Sequence, residues 1–178
     1  YQQHKHTLSW YSSAYWTAKV GVDVLQLQYE HREKIRARIG CHQLLQQLKN
    51  RGYRCWLLTN ADRAGLQLKL ENIELSPYFE VMVSSEELGH AKEQVAFWQK
   101  LQQLHPFNPA QAVFVDDTVA VLESAEDFGI AQLFSILQPS SAKPARAATE
   151  LPYPALDHLT ELVDYLDIKL QDTDAKTA

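Results

Sequence analysis

Apolar positions recur at two different periods along the chain, and the change from one to the other divides it. Through residue 50, aromatic and aliphatic side chains return every three or four residues: Leu8, Tyr11, Tyr15 and Trp16 in "TLSWYSSAYWTAKV", then "VLQLQYEHREKIRARIG" and "HQLLQQLKNRG". That spacing predicts amphipathic helices, with Gly21, Gly40 and Gly52 as their stops. From residue 53 short apolar runs alternate with helical stretches: "RCWLLTNA", "ADRAGLQLKLE", "YFEVMVSS", "KEQVAFWQKLQQL", "AVFVDD", "VAVLESAEDFG" and "AQLFSIL". Such alternation predicts right-handed crossovers and a parallel sheet with helices on its faces. "QPSSAKPARAATELPYP" reads as an irregular surface connection, "ALDHLTELVDYL" as a last amphipathic helix and "QDTDAKTA" as a frayed tail. The expected organisation is part of a helical cap over 1–50, an α/β core over 51–168 and a tail over 169–178.

Composition narrows the function classes. With 178 residues and 46% hydrophobic content, the chain can bury one well-covered core. A formal net charge of −5 leaves no broad basic surface, so nucleic acid is not an expected partner. No run approaches the about 18 apolar residues that suggest a membrane span, so no membrane partner is expected. Cys41 and Cys55 read as reduced packing thiols, and with no signal-peptide pattern a cytoplasmic location is expected.

The chemistry gathers at the strand ends. In a parallel sheet the carboxyl ends form one rim, where loops converge on a crevice. Thr59 and Asn60 end "CWLL", and there a hydroxyl and backbone N–H groups can hold an anion. Taken alone, Thr59 or Asn60 as the N-cap of the next helix explains them nearly as well. Ser84 and Ser85 end the next run, with Lys92 following at the start of a helix. Asp116 and Asp117 stand side by side after "VFV", where two carboxylates repel each other unless a cation or several donors offset them. Capping explains one of the two but not both. A hydroxyl, a lysine and a carboxylate pair on successive strand ends suit anion neutralisation beside a divalent-cation site, with Mg²⁺ favoured by such hard oxygen ligands. The set fits phosphoryl transfer, in which positioning and charge stabilisation do most of the catalysis.

"LLTNA", the Lys92 of "GHAKEQ", and "VFVDDT" followed by "AEDFGI" resemble motifs two, three and four of the haloacid dehalogenase superfamily, in that order, over about residues 53 to 137. The helical block ahead of them resembles the small cap that the superfamily inserts between motifs one and two. "HTLSWYSSAYW", "LLTNA" and "GHAKEQ" are most similar to the bacterial GMP/IMP 5'-nucleotidase branch; many relatives carry Pro after the motif-three lysine, where this chain has Glu93. The resemblance implies a Rossmann-like fold and a two-step hydrolysis through an aspartyl-phosphate. It implies that Thr59 binds the phosphoryl oxygens with the N–H groups of Asn60 and Ala61, and that Lys92 neutralises the phosphate. Asp117 becomes the direct Mg²⁺ ligand, with Asp116 ligating through water or orienting Lys92. A purine nucleoside monophosphate is the implied substrate, and a sugar phosphate the alternative. Dehalogenases proper need no metal and usually lack the acidic pair, so the pair argues for phosphate over halide.

No apolar run ending in Asp-x-Asp precedes the cap helices. The resemblance therefore implies that the first, central strand with nucleophile and general acid lies upstream, within roughly 40 further residues of strand and helix. The 178 residues alone are expected to be catalytically dead, and their neighbouring strands must close the gap unless a partner fills it. Rival readings are a phosphate-binding pseudoenzyme and a phosphoacceptor module. In receiver domains, however, the acidic pair precedes the Thr and Lys, whereas here it follows them.

Several further features have plainer readings. His4, His6 and His31 lack carboxylates or cysteines at ligand spacing, which favours surface or cap positions over a metal site. Arg32, Lys34, Arg36 and Arg38 read as a solvated helix face ahead of a phosphate-steering one. Trp10, Tyr11, Tyr15 and Trp16 read as cap core ahead of base-stacking residues, and Phe97 and Trp98 as core.

Overall fold

The computed structural model describes residues 4–140 and 142–167, so the tail expected at 169–178 lies outside the described residues. The cap comprises α1 (Leu8–Tyr11), α2 (Ser13–Val20) and α3 (Val24–Glu30). The Ser12 hydroxyl accepts the N–H of Tyr15 to start α2, and Gly21, in the left-handed region at φ 71°, ends it. The helix expected over 24–40 breaks at His31 instead. Beyond a single 3₁₀ turn at Arg32–Lys34 the chain straightens, and Arg38 donates to the carbonyls of Gln138 (2.7 Å) and Pro139 (3.1 Å). Those bonds to a distant loop replace the continuing helix. Gly40 consequently precedes α4 (Cys41–Asn50) rather than stopping a helix.

The alternating half forms five parallel strands in two sheets. β1 (Trp56–Thr59) pairs with β2 (Val81–Ser84) in the register Trp56 to Val81 and Thr59 to Ser84. β3 (Val113–Val115) pairs with β4 (Gln132–Ile136), and β4 with β5 (Ala155–Leu156). β5 lies where a helix was expected to begin; Pro154 precedes it, and among the described residues of this stretch the helix covers 161–167. The connecting helices are α5 (Arg63–Asn72), α6 (Ser85–Leu88), α7 (Val95–Leu104) and α8 (Val119–Phe128).

Strand side chains alternate between two apolar layers, as the pleat requires. Trp56, Leu58, Phe114 and Leu133 face a layer holding Phe97, Trp98 and Leu101 of α7 and Val121, Leu122 and Ala125 of α8. Val113, Val115, Phe134 and Ile136 face the other, with Leu44 and Leu48 of α4 and Leu162, Val163 and Leu166. Both faces are thus covered, as an all-parallel sheet demands. Helix α4, grouped with the cap by its place in the sequence, packs with the α/β layers because its leucines are needed there.

β1 and β3 do not pair with each other. A cavity of ≈ 600 Å³ separates them, lined by both strands and by Leu48, Trp98, Leu101 and Leu162. The neighbouring strands therefore leave the expected gap open.

Candidate active site

The carboxyl ends of β1 and β3 meet through one lysine. Lys92 is 7% exposed, and its ammonium donates to Asp116 Oδ2 at 2.5 Å. Its backbone N–H donates to the side-chain oxygen of Asn60 at 2.9 Å, and its carbonyl accepts from Trp98 Nε1 at 3.1 Å. Lys92 lies in the turn ahead of α7, not in the helix, and the turn lets it reach Asp116. Asp116 also accepts the N–H of Thr118 through Oδ1, at 2.9 Å, while its own N–H continues the ladder to Phe134. One aspartate of the pair is thereby fixed against the cation. Asp117 is exposed, and its carboxylate has no hydrogen bond among the described residues.

Thr59 ends β1, and its hydroxyl oxygen accepts the N–H of Ala61 at 3.1 Å. Ala61 N–H is therefore engaged locally, whereas the Thr59 O–H remains free to donate. Neither Thr59 nor Asn60 caps the next helix. Asp62 does so through Gly65 N–H, and it also accepts the backbone N–H and hydroxyl of Ser13 in the cap, at 2.6 and 2.5 Å. A Cβ at Gly65 would stand 2.9 Å from Asp62 Oδ1, so any other residue there would make the capping carboxylate shift.

A cavity of ≈ 260 Å³ lies between the cap and these strand ends, with Tyr11, Tyr15, Asn60 and Ser85 in its wall. Trp10 and Trp16 pack edge to face at 5.9 Å, and Trp16 with Tyr15 at 5.4 Å, in keeping with the cap-core reading. Phe97 and Trp98 are fully buried. His4 lies against Tyr15, His6 against Glu93 and His31 against Glu33, so the three histidines do not converge. Among the described residues no three His, Cys, Asp or Glu side chains gather as metal ligands. Asp116 and Asp117 supply two hard-oxygen donors, a set that fits Mg²⁺ when water and phosphate oxygens complete the shell.

Two residues near the rim escaped the sequence reading. Glu93, recognised only as a departure from Pro, accepts from Asn60 Nδ2 at 2.8 Å and from Tyr11 and His6 of the cap. Burial raises its pKa, but the donors outweigh burial and hold it below the ordinary carboxylate range. The same contact and burial push the Tyr11 phenol up. Arg146, within the segment read as an irregular connection, donates to the Asp117 carbonyl at 3.0 Å, to Ser135 Oγ at 3.4 Å and to the Ile136 carbonyl. A lone arginine among alanines and prolines was the only signal. Arg146→Ala should free the Asp117 loop and lower stability by about 1–3 kcal/mol, as carbonyls lose their donors. Urea unfolding measures the loss, and an unchanged midpoint would remove Arg146 from the rim's support.

Residues 8–134 match the family model described as haloacid dehalogenase-like hydrolase. The chain is similar to the GMP/IMP nucleotidase YrfG of Escherichia coli (strain K12), 30% identical over 141 residues that cover 79% of this chain and 64% of that protein. It is also similar to the pyrophosphatase PpaX of Bacillus cereus (strain Q1), 28% identical over 87 residues, covering 49% and 40%. The chain thus spans less than two thirds of the length of these curated relatives. Among solved structures, a HAD phosphatase from Thermococcus onnurineus matches with a TM-score of 0.77 at 18% identity, over 93% of this chain and 75% of that one. The HAD-hydrolase YfnB from Bacillus subtilis, bound to magnesium, matches with a TM-score of 0.66 at 17% identity, over 87% and 70%. At these identities the two structures support the fold alone.

Proposed function

The chain belongs to the haloacid dehalogenase-like hydrolases, and we propose that its protein is a Mg²⁺-dependent phosphohydrolase acting on a purine nucleoside 5'-monophosphate. The observation that carries this reading is the buried Lys92–Asp116 pair, set between Thr59 on one half-sheet and Asp117 on the other. A fixed cation, a free hydroxyl and an unpaired carboxylate at one rim complement a phosphoryl group and its counterion.

In this mechanism Lys92 places its positive charge on the phosphoryl oxygens while Asp116 holds it in place. The Thr59 hydroxyl donates to one of those oxygens, joined by the Asn60 N–H. Asp117 and Asp116 would hold Mg²⁺, which would supply further neutralisation of phosphate charge. A nucleophilic aspartate would stand in the slot between β1 and β3, at the rim that Thr59 and Asp116 border. Its carboxylate oxygen bonds to phosphorus as the bond to the leaving oxygen breaks, and a second aspartate protonates that oxygen and later activates water. The purine preference rests on the similarity to the nucleotidase and on the Tyr11 and Tyr15 rings at the cap cavity.

Phosphate release from nucleoside monophosphates, sugar phosphates and pyrophosphate, with Mg²⁺ or EDTA, tests the proposal on the protein as it occurs naturally. Purine monophosphates should be hydrolysed only with the metal, and Asp117→Asn should lower kcat/KM by about 10²–10³-fold. Preferential hydrolysis of pyrophosphate would replace the substrate class, and no turnover by folded protein would favour a phosphate-binding pseudoenzyme.

A further inference from the structure

Glu93 is a buried carboxylate with donors from three different places. Only 4% of its side chain is exposed. It accepts from the Tyr11 hydroxyl in α1, from His6 Nδ1 (3.2 Å) in the loop ahead of α1, and from Asn60 Nδ2 (2.8 Å) after β1. A carboxylate withdrawn from water needs such donors, because their loss leaves its charge uncompensated. His6 supplies an independent sign of the same contact. It is the one non-glycine residue with positive φ, 65°, among the described residues. A left-handed conformation costs of order 1–3 kcal/mol for such residues and persists where the surroundings impose it.

The contacts of Glu93 reach both walls of the ≈ 260 Å³ cavity, since Tyr11 stands on its cap side and Asn60 on its core side. The Asn60 amide then continues the network, its oxygen accepting the N–H of Lys92. The cavity has aromatic rings at Tyr11 and Tyr15 and hydroxyls at Ser9, Ser12 and Ser85. Those groups suit a flat, polar-edged leaving group with sugar hydroxyls.

We propose that Glu93 is a positioning residue for specificity: it latches the cap to the strand ends and fixes the two walls that enclose the substrate's leaving group. The substrate arm rests on the phosphohydrolase reading, whereas the latch rests on geometry alone. Losing Glu93 releases α1 from the core and widens the cavity, so affinity for the nucleoside part falls while the phosphate end keeps its residues.

Glu93→Gln, Glu93→Ala, Tyr11→Phe and the double variant Tyr11→Phe/Glu93→Ala test the proposal in the protein as it occurs naturally. Backbone hydrogen exchange over residues 8–20 should quicken by about tenfold in each single variant, the loss of a buried hydrogen bond. The double variant should add little to Glu93→Ala, because both changes break one contact. KM for a purine monophosphate should rise about tenfold with kcat within about threefold, since ground-state binding is what is lost. A merely structural role would instead lower kcat through a smaller folded fraction at unchanged KM, and that result overturns the proposal. So does unchanged exchange over 8–20. If Glu93→Ala does not fold, Tyr11→Phe and Glu93→Gln carry both readouts. If the unsubstituted protein hydrolyses no phosphomonoester, the phosphohydrolase reading fails while the exchange comparison still decides the latch.

Discussion

Lys92→Met should abolish most phosphate release and destabilise the fold in the same protein. Lys92 and Asp116 each have 9% of the side chain exposed and lie 2.5 Å apart. With the ammonium gone, the Asp116 carboxyl loses its counter-charge in a site largely shut off from water. Breaking one side of such a pair costs about 3–5 kcal/mol, which lowers the melting temperature by about 10 °C for a chain of this size. The catalytic effect is separate: a fixed positive charge aimed at a phosphoryl group contributes about 10³-fold or more to turnover. Adding Asp116→Asn to Lys92→Met separates the two effects. Asparagine still accepts the Thr118 N–H that Asp116 accepts and brings no buried charge, so most of the stability should return and none of the activity. Calorimetry beside a phosphate-release assay distinguishes these outcomes. Full turnover by Lys92→Met would remove the lysine from the chemistry.

What the sequence made legible is what repeats or lies close in the chain. β1, β2, β3 and β4 all fall within the apolar runs, because a strand between two covered faces must be almost continuously apolar. The rim residues were legible for a related reason, since strand ends in a parallel sheet converge whatever the details of packing. Elements set by distant partners were not. The helix expected over 24–40 yields to the bonds of Arg38 with Gln138 and Pro139, about a hundred residues away. β5 is two residues long, too short to interrupt a helical pattern, and exists through its pairing with Ser135 and Ile136. Asp62 displaced Thr59 and Asn60 as the cap of α5, and its second oxygen serves Ser13, 49 residues earlier. Glu93 and Arg146 belong with these, because a single polar side chain leaves no period and its partners lie far along the chain.

Filling the space between β1 and β3 should have the largest effect on stability. Among the described residues each strand pairs on one edge, β1 with β2 and β3 with β4, and the facing edges border a cavity of ≈ 600 Å³. Its wall includes the buried Leu48 and Leu162 and the half-buried Leu57 and Val113, whose apolar surface on this side meets no strand. A parallel strand there would satisfy both rows of backbone groups and bury two or three apolar side chains, worth about 5 kcal/mol in all. Protein of residues 1–178 with a parallel strand in this slot, supplied as a peptide or in the same chain, should therefore melt about 10–20 °C above residues 1–178 alone. It should also bind far less of an apolar fluorescent dye, and the amides of β1 and β3 should exchange more slowly. The same insertion would carry the end of the new strand between Thr59 and Asp116, where an attacking carboxylate is required. Equal melting and equal dye binding with and without the strand would mean that no strand enters the slot. The nucleophile would then have to be sought outside the sheet.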